Sequence, residues 1–195
     1  MNSEILFDYE AREKLLVGVK KLSDAVRITL GPMGKTVAIC RPGNVPHLTK
    51  DGVTVANSIS LKDSYENAGA ALVREAAQRS ASVAGDGTTT STVLAQEIVA
   101  NGEKVISAGH SVVDVLSGMR EAAYRVIEEL NSTKVDITSD TLRDVAVISA
   151  NGDKDLGEII SRAIEKVGAD GAVSVQDAKG YDTTLTMVEG TYIDR

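Results

Sequence analysis

Residues Val83 to Glu103 read VAGDGTTTSTVLAQEIVANGE: an acid between two glycines, three threonines, then a run with helical texture. The first turn of a helix exposes unpaired N–H groups and a partial positive charge, and phosphate is the usual biological anion to fill that place. Gly85 and Gly87 let backbone and ligand approach without a Cβ in the way. Thr88, Thr89 and Thr90 add hydroxyl donors on the same side. Asp86 would repel a bare phosphate, so the pattern asks for a cation between them. Mg²⁺ commonly bridges one or two carboxylates and several phosphate oxygens. The stretch reads as a Mg-nucleotide phosphate site. A helix break followed by an N-cap is the structural alternative for the same residues.

A second half-site is TLGPMGKT, Thr29 to Thr36. It nearly matches the P-loop pattern, but Thr29 stands where the first glycine belongs. The order of elements also opposes a P-loop, because this stretch runs helix to loop to strand. Pro32 further removes an amide that a P-loop would use. Gly31-Pro32 instead suits a rigid turn lying against a nucleotide, or simply a helix stop. TKDG, Thr49 to Gly52, offers a second carboxylate, Asp51, beside Lys50; taken alone it is a turn.

The elements that must position these residues can be read from periodicity. Leu15, Val19, Leu22 and Val26 predict a first helix from about Asp8 to Ile28, ended by Gly31-Pro32. KTVAIC reads as a strand, and PHLTKDGVTVA as a strand running into a turn at Asp51-Gly52. An Ala-rich helix is expected from about Tyr65 to Val83, with small side chains that permit close helix contacts. Further helices are expected over about Thr89–Ala108 and Val112–Leu130, the latter with Val112, Leu116, Met119, Ala123, Val126 and Leu130 along one face. Leu142–Ile148 reads as a short helix. Leu156, Ile159, Ile160, Ala163 and Val167 mark another. GAVSVQDAKGYDTTLTMVEG alternates as a two-stranded ribbon would. A domain boundary is expected near Asn131 to Lys134.

Composition narrows the class. Hydrophobic residues are 43% of the 195, aromatics 3%, and tryptophan is absent, so the core must be aliphatic. The net charge of −7 argues against nonspecific nucleic-acid binding, which needs a basic footprint. No stretch approaches the apolar run of about 20 residues that a membrane span needs, and the N-terminus lacks the grammar of a signal peptide. Neither nucleic acid nor membrane is expected as a partner. Cys40 is the single cysteine, which precludes an internal disulfide and suits a reducing compartment, with the cytoplasm as default. Cys40 itself reads as a small core residue of a strand. His47 and His110 are isolated, without metal-ligand spacing.

TLGPMGKTV, TKDGVTVA and AGDGTTTSTVLAQEI occur together and in order, followed by ISANGD at Ile148–Asp153 and VGADGAVSVQDAKG at Val167–Gly180. In these motifs, over nearly its whole length, the chain resembles the N-terminal part of a GroEL-type (group I) chaperonin subunit. The resemblance implies a mainly α fold with small β elements: a helical equatorial ATP domain over residues 1–132, the outgoing α+β limb of an intermediate domain over 133–188, and the start of an apical domain at 189–195. It implies an ATP-driven folding machine of two stacked homo-oligomeric rings that works on unfolded client proteins with a co-chaperonin. By motif, Thr29, Leu30, Gly31 and Pro32 would line the adenosine and phosphate wall. Lys50 and Asp51 would sit near the phosphates and a monovalent cation such as K⁺. Asp86 would hold Mg²⁺, and Gly87, Thr88, Thr89 and Thr90 would cradle the phosphates. Ile148 and Ser149 would close over the nucleotide from the hinge domain.

There are departures from the family pattern. Met33 replaces the usual lysine of the TLGP loop, Ser82-Val83 replaces a more acidic sequence, and GHSVVD lacks the usual Asn-Pro before its helix, where Ser111 could cap instead. The chain ends at Arg195, and the resemblance places the base that activates water beyond that point, so no catalytic residue is assigned here. Two readings follow: the nucleotide-binding portion of an ATPase subunit, or a truncated noncatalytic paralogue that binds or regulates rings. A P-loop kinase fails on the element order around Lys35.

Overall fold

The computed structural model describes residues 5–168, 171–176, 180, 183–188 and 190. Its elements run α1 (Asp8–Arg27), β1 (Val37–Ile39), β2 (His47–Thr49), α2 (Gly52–Ser58), α3 (Ser64–Ala84), α4 (Thr88–Ser107), α5 (Val112–Thr133), α6 (Ser139–Ser149) and α7 (Lys154–Val167). The mainly helical architecture with one small hairpin is the expected class. Two compact units divide between Ala123 and Tyr124, within α5.

In the first unit α1 packs on α3 and α4, and α3 packs on α4. Val19, Leu22 and Val26 recur at helical spacing and bury themselves with Val55, Ala56, Ala70 and Val73. With so few aromatics, this aliphatic core depends on close backbones. Gly18 and Gly69 sit where α1 and α3 touch, each with the other helix's backbone in the space of its missing Cβ. Ion pairs rim the contact: Lys14–Asp63 at 2.8 Å and Lys21–Glu66 at 2.6 Å join α1 to α3, and Arg27–Glu97 at 2.7 Å joins α1 to α4. Such solvated pairs add little to stability, so the apolar burial dominates.

β1 and β2 pair antiparallel, Val37 opposite Thr49 and Ile39 opposite His47. Two expectations fail near this hairpin. Cys40 lies just past β1 and is exposed, so it is no core residue. GVTVANS is a helix, α2, not the continuation of a strand. Its β-branched residues favour strand, but Asp51 caps its start, and the Arg74 guanidinium donates to the Ala56 and Ile59 carbonyls at its end, at 3.0 and 2.5 Å. Val55 and Ala56 bury against the core.

In the second unit α6 packs on α7. Thr138 and Thr141 form a reciprocal capping box at the start of α6, and Asp153 caps α7 through the Leu156 N–H at 3.0 Å. Gly157 packs against Val147, where a Cβ would meet the Val147 Cα at 2.7 Å. Of the expected ribbon, the described residues 171–176 and 183–188 carry no strand pairing; positions 177–179, 181, 182 and 189 lie outside the described residues.

Candidate functional site

The three motifs of the first unit meet at the start of α4. α1 ends at Arg27, and its chain turns through Gly31 at φ +73°. The turn is closed by Gly34 N–H to the Gly31 carbonyl at 2.9 Å and Lys35 N–H to the Ile28 carbonyl at 2.8 Å. This helix–turn–strand order is the one that rules out a P-loop. Leu30, Gly31 and Pro32 line its exposed side. Thr29 remains at the base, and its hydroxyl donates to the Val26 carbonyl at 2.8 Å. That hydroxyl also lies 3.1 Å from the hydroxyl of Thr89. A hydroxyl has one proton, so Thr89 is the donor of this second bond.

Asp51, beside the exposed Lys50, is the N-cap of α2. Its carboxylate accepts from Val53 N–H at 3.3 Å, Thr54 N–H at 2.8 Å and the Thr54 hydroxyl at 2.6 Å. Partial burial works against the charged form, but the Thr54 hydroxyl and the two backbone donors outweigh it and hold the carboxyl below the ordinary aspartate value. The next residue, Gly52, is buried, and a Cβ there would lie 2.2 Å from the Thr89 hydroxyl oxygen and 3.4 Å from that of Thr88.

α3 and α4 are joined by Gly85-Asp86-Gly87. Gly85 ends α3 at φ +72°, and Gly87 starts α4 at φ +78°. Both are left-handed conformations that L side chains rarely adopt, which is why glycine brackets the acid. Asp86 is exposed, and its Oδ1 accepts the Gly87 N–H at 2.6 Å. Because the N-cap is glycine, no side chain caps α4, whereas α2, α3, α6 and α7 are capped by Asp51, Asp63, Thr138 and Asp153. The first-turn N–H groups of Thr88 to Thr90 therefore have no side-chain cap and follow directly on Asp86 in the chain. Thr90 is exposed, Thr88 and Thr89 half-buried.

The structure thus brings Thr29, Gly52, Thr88 and Thr89 together, with Leu30–Pro32, Lys50, Asp51, Asp86, Gly87 and Thr90 adjacent to them in the chain. Ile148 and Ser149 stand on the last turn of α6 in the second unit, both exposed, before the turn in which Asn151 adopts φ +60°. Sequence reasoning missed Gly52 and Thr54. The signal was the Asp-Gly pair at a helix start, hidden by the strand reading of the residues that follow. A mainly apolar groove of 420 Å³ between α4 and α5, lined by Glu97, Ile98, Asn101, Gly102, Val105, Val115 and Met119, begins about 14 Å along α4 from Thr88 and presents no positive charge to a phosphate. Among the described residues, no three His, Cys, Asp or Glu side chains group as a metal site, and no helix is long and apolar enough to cross a membrane.

Residues 22–195 match the TCP-1/cpn60 chaperonin family. The chain belongs to that family. Its structure is similar to that of the chaperonin gp146 from the bacteriophage EL 2 (Pseudomonas aeruginosa), crystallised in the presence of ATP-BeFx, with a TM-score of 0.70 and 28% identity over 84% of this chain. It is also similar to a group III chaperonin in the open state, with a TM-score of 0.68 and 28% identity over 81% of this chain. The chaperonin chain described here spans 29% and 32% of the lengths of those two proteins.

Proposed function

We propose that this chaperonin chain binds a magnesium nucleotide at the start of α4, as the nucleotide-binding portion of an ATP-dependent folding machine. The observation that carries the reading is the uncapped first turn of α4, with Thr29 of one motif and Gly52 of another packed against its threonines. Thr88 to Thr90 would take the phosphates through their N–H groups, and Thr88 and Thr90 through hydroxyls as well. Thr89's proton is already given to Thr29. Leu30, Gly31 and Pro32 form the wall beside them, and Lys50 adds positive charge. That gp146 was crystallised with ATP-BeFx supports the choice of nucleotide.

The residues present fit magnesium in the manner its chemistry prefers. One carboxylate, Asp86, stands beside an anion site, and Mg²⁺ takes its remaining ligands from phosphate oxygens and water. When bound, the ion would neutralise phosphate charge next to Asp86. Asp51 has its oxygens engaged with α2, so its contribution is a fixed negative charge that suits a monovalent cation such as K⁺. Hydrolysis requires a group that orients water. Asp51 and Asp86 are both committed elsewhere, so we assign this chain binding without turnover of its own.

The finer assignments are part of the same proposal: membership of the GroEL-type group I, carried by the spelling of its motifs; equatorial, intermediate and apical portions over 1–132, 133–188 and 189–195; closure by Ile148 and Ser149; a cytoplasmic double ring acting on unfolded clients with a co-chaperonin. The binding claim is tested by calorimetric titration of the chain with ATP, with and without magnesium. Saturable one-to-one heat that depends on magnesium is expected, and a flat titration at millimolar ATP would refute it.

A further inference from the structure

We infer that Gly52, the first residue of α2, is a positioning residue for the nucleotide site: its missing side chain leaves the space in which the Thr89 hydroxyl reaches Thr29. The inference rests on the nucleotide reading of α4. The hydroxyls form a directed chain, Thr89 to Thr29 at 3.1 Å and Thr29 to the Val26 carbonyl at 2.8 Å. It ties the first turn of α4 to the last turn of α1 across 60 residues of sequence. A Cβ on Gly52 would stand 2.2 Å from the Thr89 hydroxyl oxygen, 3.3 Å from its Cβ and 3.4 Å from the Thr88 hydroxyl oxygen. These neighbours are side-chain atoms, so the hydroxyl of Thr89 is what gives way. Rotating it out of the overlap takes it from Thr29 and frees the turn whose N–H groups would hold the phosphates. Gly52 touches no ligand in this account and acts through Thr89.

The test is a double-mutant cycle on the full chain with magnesium ADP as probe. Gly52→Ala and Thr89→Ala should each weaken ADP roughly tenfold, and the double variant should also be weakened roughly tenfold, because both changes break one bond. Thr29→Val should weaken ADP similarly, and Thr29→Ser should recover most of what Thr29→Val loses. Should Gly52→Ala fold poorly, adding Thr89→Ala should restore folding by removing the atom that the new methyl strikes. Multiplying losses, unchanged affinity in Gly52→Ala, or a double variant that still fails to fold would each overturn the positioning role. A wild-type chain that binds no ADP would instead overturn the nucleotide reading, and this inference with it.

Discussion

A Cβ built on Gly18 lies 1.7 Å from the carbonyl oxygen of Glu66, and one turn away a Cβ on Gly69 lies 2.0 Å from the carbonyl oxygen of Leu15. α1 and α3 therefore cross with their backbones in contact, each helix supplying the glycine that admits the other. The obstructing atoms are backbone and cannot rotate aside. Gly18→Ala and Gly69→Ala are each expected to lower stability by about 3 kcal/mol, at the top of the usual overpacking range, despite alanine's better helix propensity. Urea unfolding followed by circular dichroism measures it; an unchanged or raised midpoint would contradict the close crossing.

Ser23 carries the opposite expectation. Its hydroxyl is fully buried among Val19, Leu22 and Val26 on α1 and has no hydrogen-bond partner among the described residues. Ser23→Ala removes an unsatisfied polar group and improves helix propensity, so it should stabilise by about 1 kcal/mol. A loss of stability in the same unfolding assay would show that the hydroxyl is in use.

Asp51 and Asp63 give the fold an acid dependence. Both carboxyls are held below the ordinary aspartate value: Asp51 by the Thr54 and Val53 donors working against burial, Asp63 by the Lys14 ammonium, then the Glu66 and Tyr65 N–H groups. A lowered folded-state value means that the unfolded chain takes up the proton first. The stabilisation is full above the ordinary value near 3.8 and is lost as pH falls through the lower folded values. Asp51→Asn keeps a good N-cap and should change stability little at pH 7 while flattening the loss below about pH 4. Asp51→Ala should cost about 1 kcal/mol at pH 7. Melting temperatures taken from pH 2 to 7 decide; an acid limb identical in wild type and Asp51→Asn would exclude Asp51 as its source.

Most helices were legible because periodicity and caps agreed. α1 spans Asp8–Arg27 against an expected Asp8–Ile28, and α4 spans Thr88–Ser107 against Thr89–Ala108. The Gly85-Asp86-Gly87 junction was legible too, since glycine and acid at a helix start state their own geometry. α2 was not, because Val53, Thr54 and Val55 speak locally for strand. What overrides them is Arg74, eighteen residues from the Ala56 carbonyl it binds, together with burial that only the folded chain supplies. The hydroxyl bond from Thr89 to Thr29 and the clearance at Gly52 were invisible for the same reason: each joins residues distant in sequence that carry no matching pattern. Cys40 falls outside the core because its strand ends one residue earlier, at Ile39.

On the proposed reading, α4 begins at a magnesium-nucleotide site in which Asp86 faces the metal. Titrating wild type and Asp86→Ala with magnesium ATP by calorimetry tests it most directly, with circular dichroism confirming that helix content is equal. Asp86 is exposed and its carboxylate bonds only the adjacent Gly87 N–H among the described residues, so the substitution should leave the fold intact. At least about a hundredfold loss of magnesium-ATP affinity is expected, since the phosphate charge loses its bridged partner. Equal affinity in the two proteins would contradict it and return Gly85-Asp86-Gly87 to the role of a plain junction between helices.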